Sequence, residues 1–266
     1  MKQRILTGVI AIILFLPFVI YGDLPFTVVV YLLATIGLYE LLKMHKITWY
    51  SAPGLMAFIL LWLLLYPAAI NGNLPFTSNT AQIILVFFLL LLAYTVLLKN
   101  KFTFDDVGFV LLAVLYVGMG FFYFIETRNG SEDGLAQVFF ALLLIWSTDT
   151  GAYFTGRSFG KNKLWPEISP NKTIEGALGG IVVATIVGVV FHLIYQFPYS
   201  MVTIVIVSIL VSIFGQIGDL VESAFKRHYN VKDSGNILPG HGGILDRFDS
   251  AIFVFPVLHL ILQLVS

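Results

Sequence analysis

The stretch GALGGIVVATIVGVVFHLIYQFPYSMVTIVIVSILVSIFGQIG, Gly176 to Gly218, contains no Asp, Glu, Lys or Arg. A helix that crosses a bilayer needs about 20 mostly apolar residues, because the hydrocarbon holds no water and every backbone group must be paired inside the helix. This stretch is long enough for two such helices, with FPYS, Phe197 to Ser200, at the turn between them. Ile47 to Leu98 is a second uncharged run of the same kind. The whole chain follows suit. It is 58% hydrophobic and 11% charged, with a mean hydropathy of +0.92, against roughly 45–50% apolar and about 25% charged in soluble proteins. An all-α, polytopic integral membrane protein is expected.

Breaking the apolar runs at Pro, Gly, Asn and charges gives nine expected helices, at residues 5–22, 25–44, 52–70, 80–98, 107–125, 135–155, 176–196, 199–221 and 248–265. The start, MKQR followed by ILTGVIAIILFLPFVIY, resembles a secretory signal, but no small-x-small cleavage site follows it, so it reads as a first anchor helix. Lys and Arg concentrate in cytoplasmic loops. With a cytoplasmic N-terminus and nine spans, all of the 15 Lys and Arg except Arg128 fall inside, and the C-terminus lies outside. Missing a span early in the chain would scatter the later residues across both sides. The first five helices, residues 1–130, form an N-terminal region. Residues 131–266 carry the two long polar loops, about Gly156 to Glu175 and Glu222 to Asp246, both on the cytoplasmic side. The absence of cysteine excludes disulfides and thiolate metal sites.

The eighth helix carries Ser208, Ser212, Gln216, Asp219, Glu222, Ser223 and Lys226 three or four residues apart, which places them on one face. Carboxylates near lipid are costly and usually face a cavity with a partner. The sixth helix adds STDTGAY, Ser147 to Tyr153. At ~1.5 Å per residue, Asp149 lies roughly 22 Å from that helix's outer start, near the inner edge of the membrane, and Asp219 reaches a similar depth. PGHGGILDRFDS, Pro239 to Ser250, puts Asp246 and Asp249 at the cytoplasmic entrance to the ninth helix. Acids from three helices are thus expected at one level.

Carboxylates without Cys or a His pair suit a hard ion such as Mg²⁺, which keeps waters and bridges protein acids to substrate phosphates. Lys161, Lys163, Lys172, Lys226, Arg227, Lys232 and Arg247 surround them and are residue types that hold phosphate. The glycines of PGHGG would let backbone N–H groups approach an anion. GRSFGKN at Gly156 is not a P-loop, having three residues between its glycines where the motif needs four, and Asn162 after the Lys. No zinc pattern appears.

SAFKRHYNVKDSGNILPGHGGILDRFD, Ser223 to Asp249, resembles the signature of the phosphatidate cytidylyltransferase (CDP-diacylglycerol synthase) family. Every element is present: Ser223, Lys226, Arg227, Lys232, Asp233, His241, Gly242, Gly243, Asp246, Arg247 and Asp249. The regions around Asp149, Ile168 and Gly215 are also similar to the family, so the resemblance is strong over the C-terminal half. It implies a nucleotidyltransferase of phospholipid biosynthesis, in a bacterial plasma (inner) membrane, that makes CDP-diacylglycerol and pyrophosphate from CTP and phosphatidic acid. It further implies a Mg²⁺ requirement, for one ion or two, and a homodimer. Nucleic acid is not an expected partner.

On this reading Asp219 and Asp246 hold metal, supported by Asp149 and Asp249. Lys172, Lys226, Arg227 and Arg247 bind phosphates, with Asp219, Asp246, Lys226 and Arg247 carrying catalysis. Ser223, Lys232, His241, Gly242 and Gly243 line the substrates, and His241 positions rather than acting as a base. Two rivals are weighed. A CTP-dependent polyprenol or phytol kinase would also want acids and cations at the inner face, but needs a base for a neutral hydroxyl. A transporter would need a continuous polar path, and the outer halves of helices six to eight contain almost no ionisable group.

Overall fold

The structure is a computed structural model that describes residues 2–69, 80–237, 240 and 242–265. The described residues form nine α-helices: α1 Lys2–Tyr21, α2 Asp23–Met44, α3 Ala52–Ala69, α4 Thr80–Leu97, α5 Phe104–Asn129, α6 Gly134–Phe159, α7 Ile174–Tyr195, α8 Met201–His228 and α9 Leu245–Val265. Among the described residues, α2, α4, α5, α6, α7 and α8 are long and apolar enough to cross a membrane. The chain is a helical multi-pass membrane protein.

Two features differ from expectation. The loop after α6 holds an antiparallel hairpin, β1 Lys163–Trp165 and β2 Ser169–Thr173, in which Lys163 pairs with Thr173 and Trp165 with Ser169. The hairpin is an addition in one loop to the expected all-α membrane fold. Helix α8 also runs to His228 rather than stopping near 221. Its last turn carries Lys226, Arg227 and His228, and cations favour the negative end of the helix dipole, so the helix continues out of the apolar zone.

The chain divides into two compact units, Met1–Glu126 with Asp233–Leu245, and Thr127–Lys232 with Asp246–Ser266. In the first unit Phe26 and Phe124 meet edge to face at 5.1 Å, and Phe15 lies 6.4 and 6.1 Å from them. Trp62 Nε1 donates to Thr35 Oγ1 at 2.9 Å, joining α3 to α2.

The second unit depends on small residues. Along α7 the positions Gly176, Gly180, Ala184 and Gly188 are buried, whereas Leu178, Val182, Ile186 and Val190 are exposed. Both sets repeat every four residues, so one face of α7 is small and the opposite face large and aliphatic. In lipid the large face is ordinary solvent contact, while the small face lets backbones approach closely. A Cβ on Gly180 would lie 2.8 Å from the Thr148 carbonyl oxygen of α6, and one on Gly176 2.9 Å from that of Ala152. Thr148 also donates to Ser212 Oγ of α8 at 2.9 Å, and Gln216 Nε2 of α8 donates to the Ala177 carbonyl of α7 at 3.3 Å. Gly180→Ala should therefore push α7 from α6 and cost about 1–3 kcal/mol, lowering the thermal inactivation midpoint in detergent. An unchanged midpoint would show slack that this packing denies.

Candidate active site

Thr173 ends β2 and caps α7, its side chain accepting from Gly176 N at 3.1 Å. Glu175 in the first turn of α7 takes Asn162 N at 3.2 Å and Asn162 Nδ2 at 2.8 Å, tying down the approach to β1. The hairpin is thus held at both ends against α7, and Lys172, one residue before the cap, points its amine at α8. Lys172 Nζ donates to Asp219 Oδ2 at 2.5 Å. Ser223, one turn further along α8, donates to Asp219 Oδ1 at 3.3 Å. Both Asp219 oxygens are accounted for by neighbours that the sequence pattern singles out.

A second ion cluster lies along α8 and the start of α9. Lys226 Nζ donates to Asp246 Oδ1 at 2.7 Å and forms an ion pair with Glu222 Oε2 one turn back. All three are largely removed from solvent, with side chains 13%, 5% and 1% exposed for Lys226, Asp246 and Glu222. One cation therefore serves two buried acids. The two clusters meet at Asp249, whose carboxyl feels the charges of Asp219, Asp149 and Lys226. Asp149 in turn feels Asp219, Lys172 and Arg247. The crossing is close: a Cβ on Gly218 of α8 would sit 2.6 Å from the Asp249 carbonyl oxygen of α9.

Acids from α6, α8 and α9 therefore do gather, as the depth argument expects, together with Lys172, Lys226 and Arg247. Among the described residues no group of three or more His, Asp or Glu side chains is arranged to enclose a metal ion by itself. Arg227 is turned elsewhere, its Nε donating to the Ile168 carbonyl of the hairpin region at 3.3 Å. Lys232 is exposed at the end of the second unit. Gly242 and Gly243 belong to the first unit, and Gly242 has a φ of 82° that favours glycine. His241 lies outside the described residues.

Two acids escaped the sequence reading. Glu222 is seen in the α8 stripe but not assigned to the site, although its three-residue offset from Asp219 and four-residue offset from Lys226 is the signal that could have placed it. Glu40, in α2, is buried at 1% exposure. It receives Ile244 N at 2.9 Å, Leu245 N at 3.0 Å and Ser234 Oγ at 2.9 Å. Those N–H groups follow the PGHGG glycines. The anion they approach is this carboxylate.

A chain with apolar helices and a crowded, mixed-charge cluster of this kind fits an enzyme acting on anionic groups at a lipid boundary, and comparison with known proteins supplies the class. The Cytidylyltransferase family model matches residues 2–265, and the chain belongs to that family. Its relatives include the protein of Bacillus subtilis (strain 168) named phosphatidate cytidylyltransferase, 56% identical over 266 residues, which cover 100% of this chain and 99% of that one. The protein of the same name from Staphylococcus haemolyticus is 49% identical over 262 residues, covering 98% and 99% of the two chains.

Proposed function

We propose that this protein is a phosphatidate cytidylyltransferase that joins the phosphate of phosphatidic acid to the cytidylyl group of CTP at the cytoplasmic face of the membrane. The observation that carries this reading is the gathering of Asp149, Asp219 and Asp249 with Lys172, Lys226 and Arg247 in the second unit. An oxygen of the lipid phosphate forms a bond to the α-phosphorus of CTP as the bond from that phosphorus to the bridging oxygen breaks. Pyrophosphate leaves with that electron pair. A phosphomonoester has a second pKa of about 6, so its oxygen is already ionised near neutrality and no general base is needed. The difficulty is that both reactants are polyanions.

The cations answer that difficulty. An ammonium has three N–H donors. Lys172 uses one toward Asp219, so two remain for phosphate oxygens without breaking the ion pair. Lys226 is held between Glu222 and Asp246 and so presents its remaining donor in a fixed direction. Arg247, exposed at the start of α9, has a planar fork suited to two phosphate oxygens at once. Such preplaced charges stabilise a transition state because little reorganisation is left to do.

The crowding of Asp149, Asp219 and Asp249 fits a divalent ion. Three carboxylates close enough to influence one another are the oxygen-donor chemistry of Mg²⁺ completing its shell with water and substrate oxygens. Asp219 and Asp246 would hold it, with Asp149 and Asp249 in support. When bound, Mg²⁺ supplies positive charge that neutralises the reacting phosphates. The active form is a homodimer.

The topology that puts this chemistry inside is nine spans with the N-terminus in the cytoplasm. The native chain has no cysteine, so single-cysteine variants report sidedness cleanly. In intact cells Ser131→Cys should react with an impermeant maleimide and Lys161→Cys only after the membrane is opened. The reverse pattern would put the cluster on the outer face, away from CTP. The activity itself is tested by incubating purified protein with CTP, phosphatidic acid and Mg²⁺. Equal amounts of pyrophosphate and CDP-lipid are expected, and neither should form if one substrate is left out. Pyrophosphate without the lipid product would overturn the reading.

A further inference from the structure

We infer that Glu40, in α2, a helix to which the sequence reading gives no part in the chemistry, is a positioning residue for the transfer reaction. The inference rests on the function proposed above. Leu245 opens α9, and the first N–H groups of a helix have no carbonyl partner within it. Glu40 supplies the missing acceptors: one oxygen takes Ile244 N and the other takes Leu245 N and Ser234 Oγ. A carboxylate there also sits at the positive end of the helix dipole. The cap is therefore borrowed from a residue 204 and 205 positions away in the chain.

The surrounding chain is shaped to this carboxylate. Side chains added at Gly235 or Gly243 would run into the Glu40 carboxylate, and at Gly243 into Ser234 Oγ as well. Gly243 is not among the residues with positive φ, so its backbone would accept alanine. What excludes a side chain is Glu40 together with the Ser234 hydroxyl that it holds. Successive helical residues turn by about 100°, so the residue at which a helix begins sets the direction of every side chain in its first turn. Asp246 and Arg247 occupy that turn, and Asp249 follows directly after it. By fixing Ile244 and Leu245, Glu40 fixes the phase with which these three leave α9.

The test combines kinetics with amide exchange on the full-length protein in detergent. Glu40→Gln replaces an acceptor by an N–H₂ donor facing N–H donors. It should speed exchange in the 244–245 segment and lower kcat by about 10- to 100-fold, the scale of a small misplacement of reacting groups, with KM for CTP and phosphatidate moving less. Glu40→Asp should recover part of both. Gly243→Ala should lower kcat in the native background and add little in a Glu40→Ala background, because both changes act on one contact. Should Glu40→Ala not fold, the Gln and Asp variants still decide. Native kcat per folded molecule in Glu40→Gln, or additive losses in the double variant, would overturn the inference. If the native protein makes no CDP-lipid, the function proposed above fails instead, and the exchange data alone then show whether Glu40 caps α9.

Discussion

Asp219→Asn is expected to reduce CDP-lipid formation by about 10³-fold or more while leaving the fold intact. Asp219 is the residue on which the first ion cluster converges, taking Lys172 at 2.5 Å and Ser223 at 3.3 Å while Asp149 and Asp249 sense its charge. Asparagine keeps the size and one acceptor oxygen but removes the charge. Lys172 then loses its counterion and its fixed direction, and the proposed metal loses a ligand. Removing one preorganised electrostatic partner from a reaction centre typically costs about 10²–10³ in rate, and here two functions share the residue. The fold should survive because Asp219 is only half-buried, its side chain 31% exposed. Pyrophosphate release measured beside thermal unfolding separates the two effects. Activity within tenfold of native at limiting Mg²⁺ would remove Asp219 from the centre of the account.

Lys226→Met is expected to harm both stability and activity. Its amine is the shared partner of Glu222 and Asp246, and all three side chains are largely removed from solvent. Removing one member of a buried ion cluster leaves charge without compensation, at a cost of about 3–5 kcal/mol. The stability loss should be partly recovered by adding Glu222→Gln, which lessens the uncompensated charge. Activity should not return with it, since the phosphate donor is still missing. Stability and activity recovering together in the double variant would mean that Lys226 only holds the helices in place.

These expectations rest on features of unequal visibility in the sequence. The span of α7 was legible, because the uncharged run from Gly176 follows directly from what lipid requires. The α8 stripe was equally legible: residues three and four apart share a face whatever the tertiary structure. The hairpin was not. Its strands are three and five residues long, too short to show a period of two, and SPNKT contains Pro170 and mostly polar residues. Glu40 was hidden for a different reason. A single acid near the end of an apolar helix has no local signature, and its partners are about two hundred residues away. The glycines of PGHGG were visible, but not what fills the space beside Gly243. The occupant of that space could only be seen once α2 and the late segment were brought together.

The most direct test of the central claim follows the two ends of CTP separately. Purified protein is given phosphatidic acid, Mg²⁺ and CTP labelled either at the α- or at the γ-phosphorus, with Asp219→Asn run in parallel. The account predicts that α-label enters the lipid, that γ-label appears only in pyrophosphate, and that the variant does neither. Label from the γ-phosphorus in a lipid, with CDP released, would identify a phosphoryl transfer and contradict the account.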